Sequence, residues 1–297
     1  MNHINAMATA TLAACLAVVT PPIGAQTLKK VAQSNKITVS YREASIPFSY
    51  VISPKKAIGF AVDVTDAIVD DVRKKLGMPN LEVIYMPVTS QNRLPLLING
   101  AYDLECGSTT NNAARGEEVS FAVSHFFTGT RLLTKKSSGI KNYADLANKT
   151  VASTAGSTNE KVLRKYNDAS NMGIQIVLGK DYDDSFQLLE DDKAVAFAMD
   201  EIILFGLMAN AKNSGELEVV GDSLQVEPYG CMLRKDDPEF KKLVDGTIVR
   251  LMNSGEFSRL YSKWFESPIP PKGMNLHMPM SDRLKANLKE FNDKPAL

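Results

Sequence analysis

Residues 61 to 76 read Ala-Val-Asp-Val-Thr-Asp-Ala-Ile-Val-Asp-Asp-Val-Arg-Lys-Lys-Leu, and the spacing of their apolar members decides the fold class. Val64, Ile68, Val72 and Leu76 recur every four residues, which predicts an amphipathic helix stopped by Gly77 and Pro79. Before it lies the alternating run Ile37-Thr38-Val39-Ser40-Tyr41. After it come strand patterns at Leu81 to Met86 and Asp103 to Cys106, around a short helix at Gln91 to Ile98 that Asn99-Gly100 closes. That order is βαβαβ, the pattern of a parallel sheet in an α/β protein.

The theme returns downstream. Strand patterns occur at Thr130 to Lys135, Thr150 to Ser153, Ile174 to Leu178, Ala194 to Met199 and Leu217 to Val220. Helix patterns start at Asn159 and cover Asp184 to Glu190 and Glu201 to Ala211. Asp237 to Phe265 reads as two helices split at Ser254-Gly255, with Phe240, Leu243, Val244, Ile248 and Leu251 as the apolar face. Ser281 is placed to cap a last helix carrying Leu284, Leu288 and Phe291. Two α/β units and a returning helical tail imply two lobes with a cleft between them, although spacing alone does not show that the chain crosses twice.

The composition excludes several classes. Of 297 residues 44% are hydrophobic and 23% charged, a globular balance. Lys plus Arg and Asp plus Glu each total 34, so no net field argues for nucleic acid or an anionic membrane surface. Met1 to Ala25 contain no Asp, Glu, Lys or Arg, and the apolar run Ala6 to Val19 falls short of the ~20 residues a membrane span needs. With small residues at Ile23-Gly24-Ala25, residues 1–25 read as a secretory signal peptide cut before Gln26. The alternative is lipid anchoring at Cys15, within Leu12-Ala13-Ala14-Cys15. Beyond the signal only Cys106 and Cys231 remain, and an oxidising compartment makes them one disulfide. His125 and His277 are too few and too far apart for zinc and read as ordinary surface or packed residues, so no metal and no cofactor is expected.

Candidate binding residues cluster after strand ends. Arg42 follows the first strand, Thr89-Ser90-Gln91-Asn92-Arg93 follows the strand ending at Met86, and Ser108-Thr109-Thr110 with Arg115 follows the strand ending at Cys106. In open α/β sheets ligands sit at that carboxyl edge. A single arginine is an ordinary solvated residue, whereas three after three strand ends suit bidentate capture of carboxylates. Ala155-Gly156-Ser157-Thr158 opens a helix, where Ser157 to Glu160 has the form of a capping box and free N–H groups attract anions. Asp200 reads either as the N-cap of the helix from Glu201 or as a carboxylate for an ammonium group. No G-x-S-x-G, Walker, H-E-x-x-H or Rossmann glycine pattern is present, which lowers the expectation of an enzyme.

With these residues in place the chain closely resembles the periplasmic glutamate/aspartate-binding proteins of ABC importers, which have the type II solute-binding fold. The resemblance runs through Tyr41-Arg42-Glu43-Ala44-Ser45-Ile46-Pro47-Phe48-Ser49-Tyr50, Thr89 to Leu97, Glu105 to Asn112, Thr130 to Lys136, Asp184-Ser185-Phe186, Tyr229 to Asp237 and Lys263 to Lys272. It implies a two-lobed α/β periplasmic binding protein with two crossing strands, near His125 to Gly129 and Gln225 to Gly230. Lobe one would then be residues 27–126 plus 230–297 and lobe two residues 127–229, with the disulfide fastening the returning strand beside the site.

The resemblance also implies roles. Arg115 would grip the α-carboxylate with Thr110 and the loop around Thr158. Asp200 would pair with the α-ammonium, its hydrogen bonds completed by Ser108 and Thr110, and Arg42, Ser90 and Arg93 would hold the side-chain carboxylate. Tyr182 stands where the family has a histidine and Asp183 where it has a glycine, so Tyr182 supplies a hydrogen bond but no positive charge. The implied partners are L-glutamate or L-aspartate and a membrane ABC permease, for a monomer in the periplasm, with a chemoreceptor or kinase ectodomain as another partner class. The rival reading is a cyclohexadienyl dehydratase-like enzyme on the same fold.

Overall fold

The computed structural model describes residues 26–53 and 56–296. The predicted signal peptide and Cys15 lie outside the described residues. Among the described residues no helix is long and apolar enough to cross a membrane.

The βαβαβ reading is realised in a five-stranded sheet. Its order is Glu82–Pro87, Lys36–Tyr41, Leu104–Glu105, Met232–Arg234, Val119–Phe121. The first three strands are parallel, with Ile37 opposite Val83 and Val39 opposite Leu104. The last two are antiparallel, and Met232–Arg234 reaches this sheet from far along the chain, with Leu233 opposite Leu104 and Ser120. The helix Phe60–Leu76 buries Val64, Ile68 and Val72 against the sheet's core. It ends at Gly77, whose φ of 65° lets its N–H reach back to the Arg73 and Lys74 carbonyls, a left-handed turn that costs glycine nothing.

The second sheet has the order Gln175–Gly179, Thr150–Thr154, Ala196–Asp200, Thr130–Lys135, Leu217–Val220. Its first three strands are parallel, and Thr130–Lys135 runs antiparallel to both neighbours, with Asp200 opposite Thr130 and Leu217 opposite Lys135. All five residues of Ala196–Asp200 are buried, which explains why that strand reads as a continuous apolar run. Between the sheets in sequence, Phe126–Thr128 pairs antiparallel with Glu227–Tyr229.

Three features had no sequence reading. The helix Thr27–Ser34 is short, and a small sheet of Ala44–Ser45, Ser49–Ser53 and Lys56–Ile58 intervenes between the first long strand and its helix. The third is an aromatic cluster at the root of the crossing pair. Phe48 packs edge-on to Phe126 at 5.0 Å, Tyr229 at 5.3 Å and Phe265 at 5.5 Å between ring centres. His125 lies in the same cluster, fully buried, with Nε2 3.0 Å from the Gly107 carbonyl. Burial pulls its imidazole down to about 4, so it is neutral near pH 7. His277, by contrast, is exposed.

The C-terminal helices Pro238–Asn253 and Glu256–Phe265 divide at Ser254-Gly255 and return to the first unit. Arg250 donates to Asp71 at 2.8 and 3.1 Å, and Trp264 Nε1 donates to Asp63 at 2.7 Å, tying both to the Phe60–Leu76 helix. Ser281 caps Asp282–Glu290 through the Leu284 N–H, and Phe291 sits just past the helix end. Cys106 and Cys231 form the disulfide, with Cα atoms 4.2 Å apart and 125 residues between them in sequence. By the loop-closure model a bridge over so long a loop contributes ~5 kcal/mol.

Candidate functional site

Parallel strands end at one edge of a sheet, so every residue just past a strand's C-terminus is delivered to the same side. In the first sheet that edge carries Arg42 after Lys36–Tyr41, Ser90 and Arg93 after Glu82–Pro87, and Ser108 and Thr110 after Leu104–Glu105. In the second it carries Thr158 after Thr150–Thr154, Tyr182 after Gln175–Gly179, and Asp200 at the end of its own strand. All of these residues and Arg115 are buried.

The two edges meet. Ser108 Oγ lies 3.0 Å from the Tyr182 hydroxyl, Thr110 Oγ1 lies 3.3 Å from Thr158 Oγ1, and Arg115 Nη2 donates to the Gly156 carbonyl at 3.3 Å. Arg42 donates through Nη2 to the Asp181 carboxylate and lies 3.4 Å through Nη1 from the Tyr182 hydroxyl, with its guanidinium carbon 4.5 Å above the Tyr182 ring centre. Gly156 marks the tightest approach. With φ at 74°, a Cβ there would sit 2.7 Å from Gln91 Cα, so only glycine fits that turn.

Each arginine is held by a different local device. Arg93 opens a short helix and donates through Nη1 to the Ser108 carbonyl at 3.2 Å and to Thr109 Oγ1, which in turn donates to Glu105 at 2.8 and 2.9 Å. Arg115 sits in a helical turn capped by Asn112 and donates through Nη1 to the Thr110 carbonyl at 2.9 Å. Burial, then the like charge of Arg93, pulls its guanidinium down to about 10 against the pull of Glu227. For Arg42 burial acts downward too, but Tyr182 and Asp181 outweigh it and hold the group above its usual range. Ser90 Oγ, Arg42 Nε and Arg93 Nε are buried donors with no hydrogen-bond partner among the described residues.

Of the two readings of Asp200, the cap fails. Its side chain makes no bond to the helix that follows. Instead Oδ1 accepts from Asn159 Nδ2 at 2.8 Å and Oδ2 accepts from the Tyr229 hydroxyl at 2.5 Å. Burial and the nearby Glu227 carboxylate push the Asp200 carboxyl up, against the bonds from Tyr229 and Asn159. The Ser157 capping box is half formed. Ser157 Oγ accepts from the Glu160 N–H at 3.1 Å, while Glu160 reaches past the cap residue to the Gly156 N–H at 3.2 Å.

Sequence reading missed Asp181, Glu105, Tyr229 and Glu227. Glu227 is fully buried on a crossing strand, where its Oε2 accepts from the Thr110 hydroxyl and from Thr158 at 2.5 Å. A carboxylate within a three-residue buried strand was the available signal, but periodicity places no weight on so short an element. Asp183 is exposed on its helix, and none of the hydrogen bonds above involves it. Among the described residues no cluster of three or more His, Cys, Asp or Glu could hold a metal. The arrangement is a buried set of cationic and hydroxyl donors with acidic groups beside them, suited to gripping a small zwitterion that carries carboxylate.

Comparison with known proteins agrees with this architecture. The family model for bacterial extracellular solute-binding proteins, family 3, matches residues 37–267. The chain is 49% identical to the glutamate/aspartate import solute-binding protein of Escherichia coli K12, over 92% of this chain and 90% of that one. It is 48% identical to the L-glutamate/L-aspartate-binding protein of Pseudomonas aeruginosa PAO1, over 91% and 90%. Among solved structures, a mutant arginine-binding protein from T. maritima superposes with a TM-score of 0.71 at 26% identity, covering 80% of this chain and 99% of that one. An ancestral amino acid-binding protein described as a precursor of cyclohexadienyl dehydratase gives 0.69 at 25% identity, over 80% and 99%. The fold is therefore the type II periplasmic binding-protein fold, as the two mixed sheets and paired crossing strands require. By its sequence and its architecture alike, the chain belongs to the bacterial extracellular solute-binding proteins of family 3.

Proposed function

We propose that this protein captures an acidic amino acid, L-glutamate or L-aspartate, outside the cytoplasm and delivers it to the permease of an ABC importer. The observation that carries the reading is that three buried donors past strand ends of the first sheet, Ser90 Oγ, Arg42 Nε and Arg93 Nε, have no partner among the described residues. Buried polar groups are almost always satisfied, and three donors at one sheet edge suit a second carboxylate beyond the α-carboxylate. Arg115, Thr110 and Thr158 then take the α-carboxylate, and Asp200 with Ser108 takes the ammonium. Tyr182 adds a neutral hydrogen bond to the distal group. The named relatives at 48–49% identity are import and binding proteins for the same two amino acids, which favours transport over a dehydratase.

In this reading the lobes are residues 27–126 with 230–297, and 127–229, hinged at Phe126–Thr128 and Glu227–Tyr229. The ligand stabilises the joined form by binding groups of both lobes at once, and that form docks on the permease. Calorimetric titration of ligand-stripped mature protein with L-glutamate, L-aspartate, L-glutamine and L-asparagine tests it. Saturable binding of the acids with a weak amide response is expected, and an amide binding best would refute it.

A further inference from the structure

The buried cations of the site already have acidic neighbours within the chain. Arg42, Arg93 and Arg115 share their enclosure with four acidic side chains, Glu105, Asp181, Asp200 and Glu227, of which only Asp181 is partly exposed. An incoming dicarboxylate therefore meets a site that already holds carboxylates, although Arg93 and Arg115 donate to carbonyls and a hydroxyl. Arg42 is the plainest case. Its guanidinium is fully buried, one N–H of Nη2 goes to Asp181, Nη1 lies against the Tyr182 hydroxyl, and Nε has no partner among the described residues. Asp181 is fixed where it stands, because the same Oδ1 accepts the Tyr182 N–H at 2.9 Å as the cap of the Tyr182–Glu190 helix.

A cation that faces one carboxylate attracts a second less strongly, and two carboxylates drawn to one cation repel each other. We propose that Asp181 is a specificity-determining residue whose carboxylate competes with the ligand's distal carboxylate for Arg42, and so narrows the preference for an acidic amino acid over its amide. The proposal rests on the acidic amino-acid reading above and concerns the same site. To reach Arg42 the distal carboxylate either shares the cation with Asp181, through Nε or a second N–H of Nη1 or Nη2, or displaces Asp181. Both routes cost a charged group more than a neutral amide, which feels no repulsion from Asp181. The neighbouring Tyr182 offers no compensating positive charge.

The test is calorimetric titration of the wild type and of Asp181→Asn with L-glutamate, L-aspartate and L-glutamine. Asparagine keeps the oxygen that caps the helix and removes only the charge. Glutamate and aspartate are expected to bind about tenfold more tightly to the variant, a typical scale for relieving one close like-charge contact, while glutamine changes by less than about twofold. If Asp181 serves only to cap the helix or to orient Arg42, the variant binds the acids equally or more weakly, and the proposal is overturned. Melting curves check that the variant folds, and Asp181→Ser, which also keeps a capping oxygen, repeats the test. A wild type that binds neither acid defeats the acidic amino-acid reading and this proposal with it. A wild type that binds both acids, with no gain in either variant, defeats this proposal alone.

Discussion

Replacing Arg115 by alanine isolates the charge that the site can least do without. The side chain is 9% exposed, donates to the Thr110 and Gly156 carbonyls at 2.9 and 3.3 Å, and stands near Glu227. Two losses follow. In the proposed binding mode the ligand's α-carboxylate loses its buried cation, which costs about 2–5 kcal/mol when one partner of such a pair is truncated. At 1.4 kcal/mol per decade that is a roughly 30- to 4,000-fold weaker dissociation constant. The contact to Gly156 is also lost, and with it one of the bonds that join the first sheet's edge to the second. Calorimetric titration with L-glutamate reads the first loss, and thermal melting of the unliganded variant reads any cost to the fold. Because the folded core elsewhere is untouched, the variant should melt cooperatively while failing to bind. Affinity within tenfold of the wild type would refute the assignment of Arg115 to the α-carboxylate.

Two further outcomes follow from the geometry. Gly156→Ala should weaken ligand affinity by tenfold or more, because a Cβ there lies 2.7 Å from Gln91 Cα and a positive φ costs a non-glycine residue ~1–2 kcal/mol. Gly77→Ala is its control, since that position shares the positive φ but has nothing within 4 Å, so stability alone should fall; equal effects on affinity would contradict the close-approach argument. His125 has its folded value pulled down to about 4 by burial, below the ordinary ~6.5 of an unfolded chain. The unfolded state therefore binds the extra proton first, and the stability His125 contributes is present above about pH 6.5 and lost as pH falls toward 4, roughly 3 kcal/mol in all. His125→Gln should show a shallower fall in melting temperature between pH 7 and 4.5, and an unchanged slope would contradict the buried neutral imidazole.

Much of the fold was legible because periodicity is a local property. Val64, Ile68 and Val72 repeat at helical spacing whatever they pack against, and Gly77 stops the helix by its own backbone freedom. The same logic located Arg42, Ser90, Arg93, Ser108 and Thr110, since each follows a strand end and parallel strands deliver their ends to one edge. The small sheet from Ala44 to Ile58 escaped because strands of two to five residues carry too few alternations to register.

The sequence by itself determined the two α/β units, the disulfide partners and the residue types that wait at the strand ends. Only the tertiary structure decided how their charges are paired. Asp181 lies 139 residues from Arg42, and Glu227 lies 117 from Thr110 and 69 from Thr158, so no window along the chain contains both members of any of these pairs. It also excluded the side-chain cap at Asp200, because a cap is a bond to the next few residues, whereas its partners, Asn159 and Tyr229, arrive from a different helix and a crossing strand. Electrostatic pairing depends on distance in space and on exclusion of water, and neither exists until the two sheets have brought their edges together.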